Sequence, residues 1–202
     1  MANVDRPAGL SPVKYTSGAP YNGAANMYLV KTADTTAVFI GDMVDMDGSS
    51  GAAGTTVNGV DCEGIASISK AAVAGPAVGV VVGFLPDQDD LSKKHRVAST
   101  ARIALVADDP GLLFEVQEVS GGTALTADAV GLNANLVDAG GSATTGLSGE
   151  ELDNTTEAAT NGLAVRIVGL SKRPDNVIGE HAKWLVQIMD HRFNSAGPDV
   201  GI

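Results

Sequence analysis

HRVASTARIALVADDPGLLFEVQE, residues His95 to Glu118, is the most legible passage of the chain. Its first half sets Val97, Thr100, Ile103 and Leu105 in strand-like surroundings. Its second half alternates: Leu112, Phe114 and Val116 point one way, Leu113, Glu115 and Gln117 the other, which is the two-residue period of a strand. Between the halves, Asp108-Asp109-Pro110-Gly111 gathers carboxylates that bond their own backbone, a proline with a preset φ and a glycine without a Cβ. The passage predicts two strands joined as a hairpin, and with it an all-β scaffold.

Working outward, TAVFIGDMVDMD (Thr36 to Asp47) and KWLVQIMDH (Lys183 to His191) read as strands, the first broken at Gly41-Asp42 by a bulge or bend. On the second, Trp184, Val186 and Ile188 share one face. NMYLVK (Asn26 to Lys31) predicts a first strand, and GIASIS (Gly64 to Ser69) another after a type I′ turn at Asn58-Gly59. Ala77 to Leu85 is Val-rich enough to be buried on both faces. Leu163 to Leu170 alternates Leu163, Val165 and Ile167 inward with Ala164 and Arg166 outward. Thr123 to Leu136 holds Leu125, Ala129 and Leu132 at helical spacing and predicts one short helix, because Gly131 costs roughly 1 kcal/mol inside it. Val137 to Gly149, dominated by small residues, predicts a surface loop.

Residues 1–26 carry Pro7, Pro12, Pro20 and several glycines, and sustain no periodic apolar pattern. They read as a frayed terminus or as an extended arm on a neighbouring subunit; Tyr15 and Tyr21 favour the arm as contact anchors. The expected organisation is an arm over 1–26, a single β-rich domain over 27–193 and a flexible tail over 194–202. The fold class is mainly β, jelly-roll-like or a β-barrel or sandwich.

The 202 residues include 25 glycines and few aromatics, so the core must be aliphatic and the turns many. A net charge of −11 argues against a nucleic-acid partner, which needs clustered Lys and Arg. Met1 to Tyr15 lacks the apolar core of a signal peptide. The longest apolar run, Ala71 to Leu85, is too short and too rich in glycine to span a membrane, so no membrane partner is expected.

Residue patterns point away from catalysis. The single cysteine, Cys62, lies between Asp61 and Glu63, which disfavour a thiolate. His95, His181 and His191 include no short-spaced ligand pair, so no metal is expected. Asp42, Asp45 and Asp47 read as a solvated strand end with Asp45 and Asp47 on one face, and fail the calcium-loop pattern because Gly48 comes too early. Asp87, Asp89 and Asp90 read as a turn. The pairs Ser69-Lys70, Ser92-Lys93 and Ser171-Lys172 cannot act together if strand neighbours face opposite ways. Asn154-Thr155-Thr156 forms a sequon without a secretory route. No catalytic, cofactor-binding or metal residues are assigned, and no cofactor or enzymatic activity is expected.

Several collinear stretches resemble a family of small structural proteins of tailed bacteriophages. They are RPAGLSPV (Arg6 to Val13), PYNG (Pro20 to Gly23), TAVFIGD (Thr36 to Asp42), VVVGF (Val80 to Phe84), ADDP (Ala107 to Pro110), GLNA (Gly131 to Ala134), RPDN (Arg173 to Asn176) and AKWLV (Ala182 to Val186). The resemblance spans nearly the whole chain. It implies a capsid decoration, or cement, protein of barrel or jelly-roll type, made in the host cytoplasm and carried on the outer surface of the head. Its implied partners are the major capsid protein and further copies of itself, as a dimer or trimer. A tail or baseplate component is the alternative within that class. A carbohydrate-binding module stands further off, because one Trp and three Tyr offer little stacking surface.

Overall fold

The computed structural model describes residues 3–194; the expected flexible tail, apart from Asn194, lies outside them. The protein is mainly β. Strands, numbered in chain order, form two large units. The first is a closed barrel in the order β2 (Asn26–Val30), β6 (Ala66–Lys70), β3 (Met43–Ser50), β7 (Gly79–Phe84) and β8 (Arg102–Ala107), with β8 antiparallel to β2 and β2 parallel to β6. The second is an open antiparallel sheet in the order β1 (Ser11–Tyr15), β9 (Leu112–Gln117), β14 (Lys183–Ile188), β13 (Val165–Leu170) and β10 (Asn133–Ala134). Two hairpins complete it: β4 (Thr56–Val57) with β5 (Val60–Asp61), and β11 (Leu136–Gly141) with β12 (Ser148–Leu152).

The two units share a core. Along β3, β7 and β8, successive side chains alternate between the barrel interior, where Val44, Val81 and Val106 sit, and the face toward the sheet, where Met43, Val80 and Ala107 sit. Where β7 and β8 cross this boundary both faces are dry, which is why residues 80–82 and 103–107 read as unbroken apolar runs, whereas β3 is buried only over Met43 and Val44 and ends in exposed polar residues. From the sheet come Phe114, Val116, Ile167, Trp184, Val186 and Ile188, meeting small barrel-side residues such as Ala71, Ala77 and Ala107. Large against small lets the layers interdigitate.

Two turns of the sequence reading have different outcomes. Asn58 and Gly59 have φ of 49° and 77°, and Val57 faces Val60 across them, as a type I′ hairpin requires. Asp108 to Gly111 is also a turn, with Gly111 N–H donating to Asp109 Oδ1 at 2.7 Å and Leu112 N–H to Asp109 O at 3.1 Å. The strands it joins do not pair, so the expected hairpin is corrected. β8 lies between β2 and β7, and β9 between β1 and β14. Turn chemistry fixes a local reversal, whereas the neighbour of each strand is set by which face finds a core. Here the reversal carries the chain from barrel to sheet.

The leader is likewise corrected. Instead of an arm outside the domain, residues 11–15 are the edge strand β1, with Ser11 opposite Glu115 and Tyr15 opposite Leu112. Leu10 is fully buried in the shared core, and Tyr15 and Tyr21 pack against it. The crossing depends on two glycines with positive φ, Gly9 at 67° and Gly41 at 97°. Leu10 N–H donates to Gly41 O at 2.9 Å, and a Cβ on Gly9 would come within 2.4 Å of that oxygen. An edge position tolerates Pro12, so the prolines that hid the strand do not prevent it.

Two further expectations fail for local reasons. The helix over 123–136 is one 3₁₀ turn, Ala127–Ala129, capped by Thr126. Gly131, at φ 94°, ends it, and Asn133 and Ala134 are drawn into pairing with β13. The expected loop over 137–149 contains most of the β11–β12 hairpin. At Gly141 the missing side chain is a packing requirement, since a Cβ there would lie 2.3 Å from the Phe39 ring, while the rest of 138–145 faces solvent.

Candidate functional site

The end of the molecule where the leader meets the β13–β14 connection holds the most distinctive surface. Asn3 acts as a clamp: its Nδ2 donates to Val177 O at 2.9 Å and Glu180 O at 2.8 Å, and its Oδ1 accepts from Val177 N–H at 3.1 Å. At the base of the connection, Asn176 Nδ2 donates to Ser171 O at 2.9 Å and Lys183 O at 2.8 Å, and its Oδ1 accepts from Lys183 N–H at 2.8 Å. Backbone groups that would otherwise face water are thus satisfied, and the connection is held in one shape. Val4 of the leader, 67% exposed, and Val177 and Ile178 of the connection, 48% and 47%, face outward here, flanked by the exposed charges of Lys172, Arg173, Asp175 and Glu180. Cavities of about 140 Å³ and 200 Å³ adjoin this knob and share Asn3 and His181 in their walls.

Beneath the knob, Asp5, Glu151 and His181 converge. Gln117 Nε2 donates to Asp5 Oδ1 at 2.9 Å and to Glu151 Oε1 at 2.8 Å. Burial lifts the Glu151 carboxyl above its ordinary range, the neighbouring Asp5 adds to the rise, and Gln117 and His181 oppose it.

A second polar cluster lies between the barrel and the β11–β12 hairpin. Lys70 Nζ sits 3.1 Å from Asp42 Oδ1, 2.8 Å from Asp138 Oδ1 and 3.6 Å from Glu150 Oε1. Asp42 and Glu150 are buried, and their remaining oxygens accept from Phe39 N–H at 2.7 Å and Met43 N–H at 2.9 Å. Burial pushes Glu150 up to about 8, helped by Asp42, so it keeps its proton at neutral pH. Burial also raises Asp42, against the pull of Lys70. Burial alone would lower Lys70, but Asp42, with Asp138 and Glu150 beside it, brings it above the ordinary lysine value, so the ammonium stays charged.

A third cluster centres on Glu118, which is fully buried. It accepts from Trp184 Nε1 at 2.9 Å, Leu125 N–H at 2.8 Å and Asn154 Nδ2 at 3.2 Å. Such a set of donors replaces the lost water shell of a carboxylate. Asn154 also donates to Gly121 O at 2.8 Å, so the amide of the sequon is turned inward. Arg96 is buried too, its guanidinium donating to Thr36 O and Lys31 O at 2.5 Å and to Asp34 O and Thr100 O at 2.7 Å. These groups knit loops to the barrel.

The residues weighed from sequence are taken up separately. Cys62 is buried in a small cluster with Leu29, Val57 and Ile103. His95 stacks on Phe39 at 4.6 Å, and burial, with Arg102 nearby, lowers its pKa. Burial likewise lowers His191, against Asp108 and Asp109, and its Nδ1 accepts from Phe193 N–H at 3.1 Å. Asp45 is held by Arg192 through two bonds of 2.7 and 2.6 Å, while Asp47 accepts from Ser67. Asp42, expected at a solvated strand end, is instead buried beside Lys70. Asp87 pairs with Lys93 at 2.9 Å in an exposed loop, and Asp90 bonds Ser92. Ser171 Oγ donates to Glu115 at 2.5 Å, away from any role with Lys172.

Sequence reasoning missed Asn3, Asp5, Glu150 and Glu151, because nothing in a polar residue's immediate neighbours marks it as meeting a partner distant in the chain. A usable signal existed for Lys70, a lysine closing a strand of otherwise small or apolar residues, Ala66–Lys70. Among the described residues no helix is long and apolar enough to cross a membrane. No family model, curated protein or solved structure matches the chain.

Proposed function

We propose that this protein is a structural component of a tailed-bacteriophage particle, a decoration protein that binds the outer surface of the head and bridges major capsid subunits. The observation that carries this reading is the apolar knob of Val4, Val177 and Ile178, clamped by Asn3 on a rigid and strongly acidic β body. A pre-ordered apolar surface loses little conformational freedom on docking, and its burial releases water. Repeated over a shell, contacts of modest strength hold neighbouring subunits together. The charge of −11 keeps free copies apart and off the packaged genome. Since the leader is built into the sheet, bridging falls to this surface, with copies of the chain meeting as a dimer or trimer on the shell.

The test uses purified heads lacking the protein, mixed with the chain and sedimented. Val177→Asp together with Ile178→Asp should weaken attachment at least about tenfold while shifting the free protein's melting only slightly, because the two residues are 48% and 47% exposed. Undiminished attachment of the double variant would reject the knob as the contact.

A further inference from the structure

Asp5, Glu151 and His181 each offer one donor atom, and the three atoms lie within 4.8 Å of one another. They arrive from three parts of the chain: the leader, β12 and the turn before β14. Gln117, on β9, stands behind them. One amide nitrogen donates to both carboxylates, and its Oε1 accepts from Arg6 N–H at 2.8 Å, which fixes the amide's orientation. Two groups of like charge are thereby drawn together, as by the outer-shell donors that orient metal-binding carboxylates. Opposite them, His181 Nδ1 is buried without a hydrogen-bond partner. It lies 3.6 Å from Asp5 Oδ1, too far for a hydrogen bond. Ligands at about 2.0–2.2 Å around a tetrahedral ion are about 3.4 Å apart, so this pair already has the spacing of co-ligands. Of the cations in the wall of the adjoining cavity, Arg173 is turned to Glu115 at 2.9 Å and Asp175 at 3.3 Å, Lys183 lies 3.9 Å from Glu115, and Arg6 also lines the cavity.

We propose that Asp5, Glu151 and His181 bind one divalent cation of borderline hardness, for which Zn²⁺ is the probe, and that the ion ties the leader to β12 and the β13–β14 connection. One imidazole with two carboxylates suits such an ion better than Ca²⁺ or Mg²⁺, which take oxygen donors. Three protein donors leave at least one position for water. The expectation of no metal rested on the missing short-spaced ligand pair, and this site needs none because the fold supplies the convergence. The inference stands apart from the proposed function, since it is read on the isolated chain.

The full untagged chain, stripped with a chelator and desalted, would be titrated with Zn²⁺ by calorimetry and with Co²⁺ by visible absorption. One ion per chain is expected, with a melting temperature raised by about 4 °C or more at saturation. Asp5→Asn, which alters an exposed side chain and keeps the fold, should weaken binding at least about tenfold, and His181→Ala should do the same. Asp87→Asn, in the other acidic loop, should bind as the parent does. Absence of stoichiometric Zn²⁺ and Co²⁺ binding by the parent overturns the proposal. So does parental affinity in both Asp5→Asn and His181→Ala.

Discussion

Lys70→Met is expected to lower the unfolding free energy at pH 7 by about 3–5 kcal/mol, the usual loss when one partner of a buried ion pair is removed. Asp42 has no exposed side-chain surface, and Lys70 at 3.1 Å is its counter-charge. Methionine fills the volume but leaves the carboxylate to protonate or stay unpaired. Adding Asp42→Asn should recover part of the loss, and urea denaturation of the two variants measures both. A loss below about 1 kcal/mol would show that the pair is not holding barrel to hairpin. The same cluster sets a pH dependence. Glu150 rises from 4.5 to about 8 on folding, so its stabilising contribution is full below 4.5 and is lost as pH rises through 8. Asp42 acts in the same direction, and Asp138, held low by Lys70 despite its partial burial, in the opposite one. Glu150→Gln should therefore match the parent near pH 4 and exceed it above pH 8, by on the order of a few kcal/mol. Parallel pH profiles for parent and variant would contradict this.

Deleting residues 1–22 should unfold the protein or drive it to aggregate. The leader supplies fully buried Leu10, an edge strand and the Asn3 clamp. Losing one core leucine alone costs about 2–5 kcal/mol, and the total stability of a domain is about 5–15 kcal/mol. Removal of β1 also bares the edge of β9, a template for pairing with other chains. A truncated chain with a cooperative melt near that of the parent would show that the leader only rests on the domain.

Most strands were legible because a half-buried or doubly buried strand must carry a two-residue period or an unbroken apolar run. Trp184, Val186 and Ile188 face the core as their alternation requires. Pairing was less legible. Asp108 to Gly111 has the residues of a hairpin turn, yet joins two units, because local φ preferences say nothing about which strand lies alongside. β1 escaped notice because one buried leucine among prolines makes no period, and the β11–β12 hairpin because most of β11 and its turn are small, exposed residues that carry no apolar alternation. The candidate sites were the least legible. Asn3 with Val177 and Asp5 with His181 meet only after the leader has joined the sheet, and Lys70 with Asp138 only after the β11–β12 hairpin has closed on the barrel.

Imaging intact phage particles that contain this chain tests the proposed role in a single measurement. Copies of this chain are expected on the outer face of the head at symmetry-related positions, each spanning a seam between major capsid subunits, with Val4, Val177 and Ile178 buried against the shell. Density for the chain only on the tail or baseplate, or copies whose knob points to solvent, would contradict it.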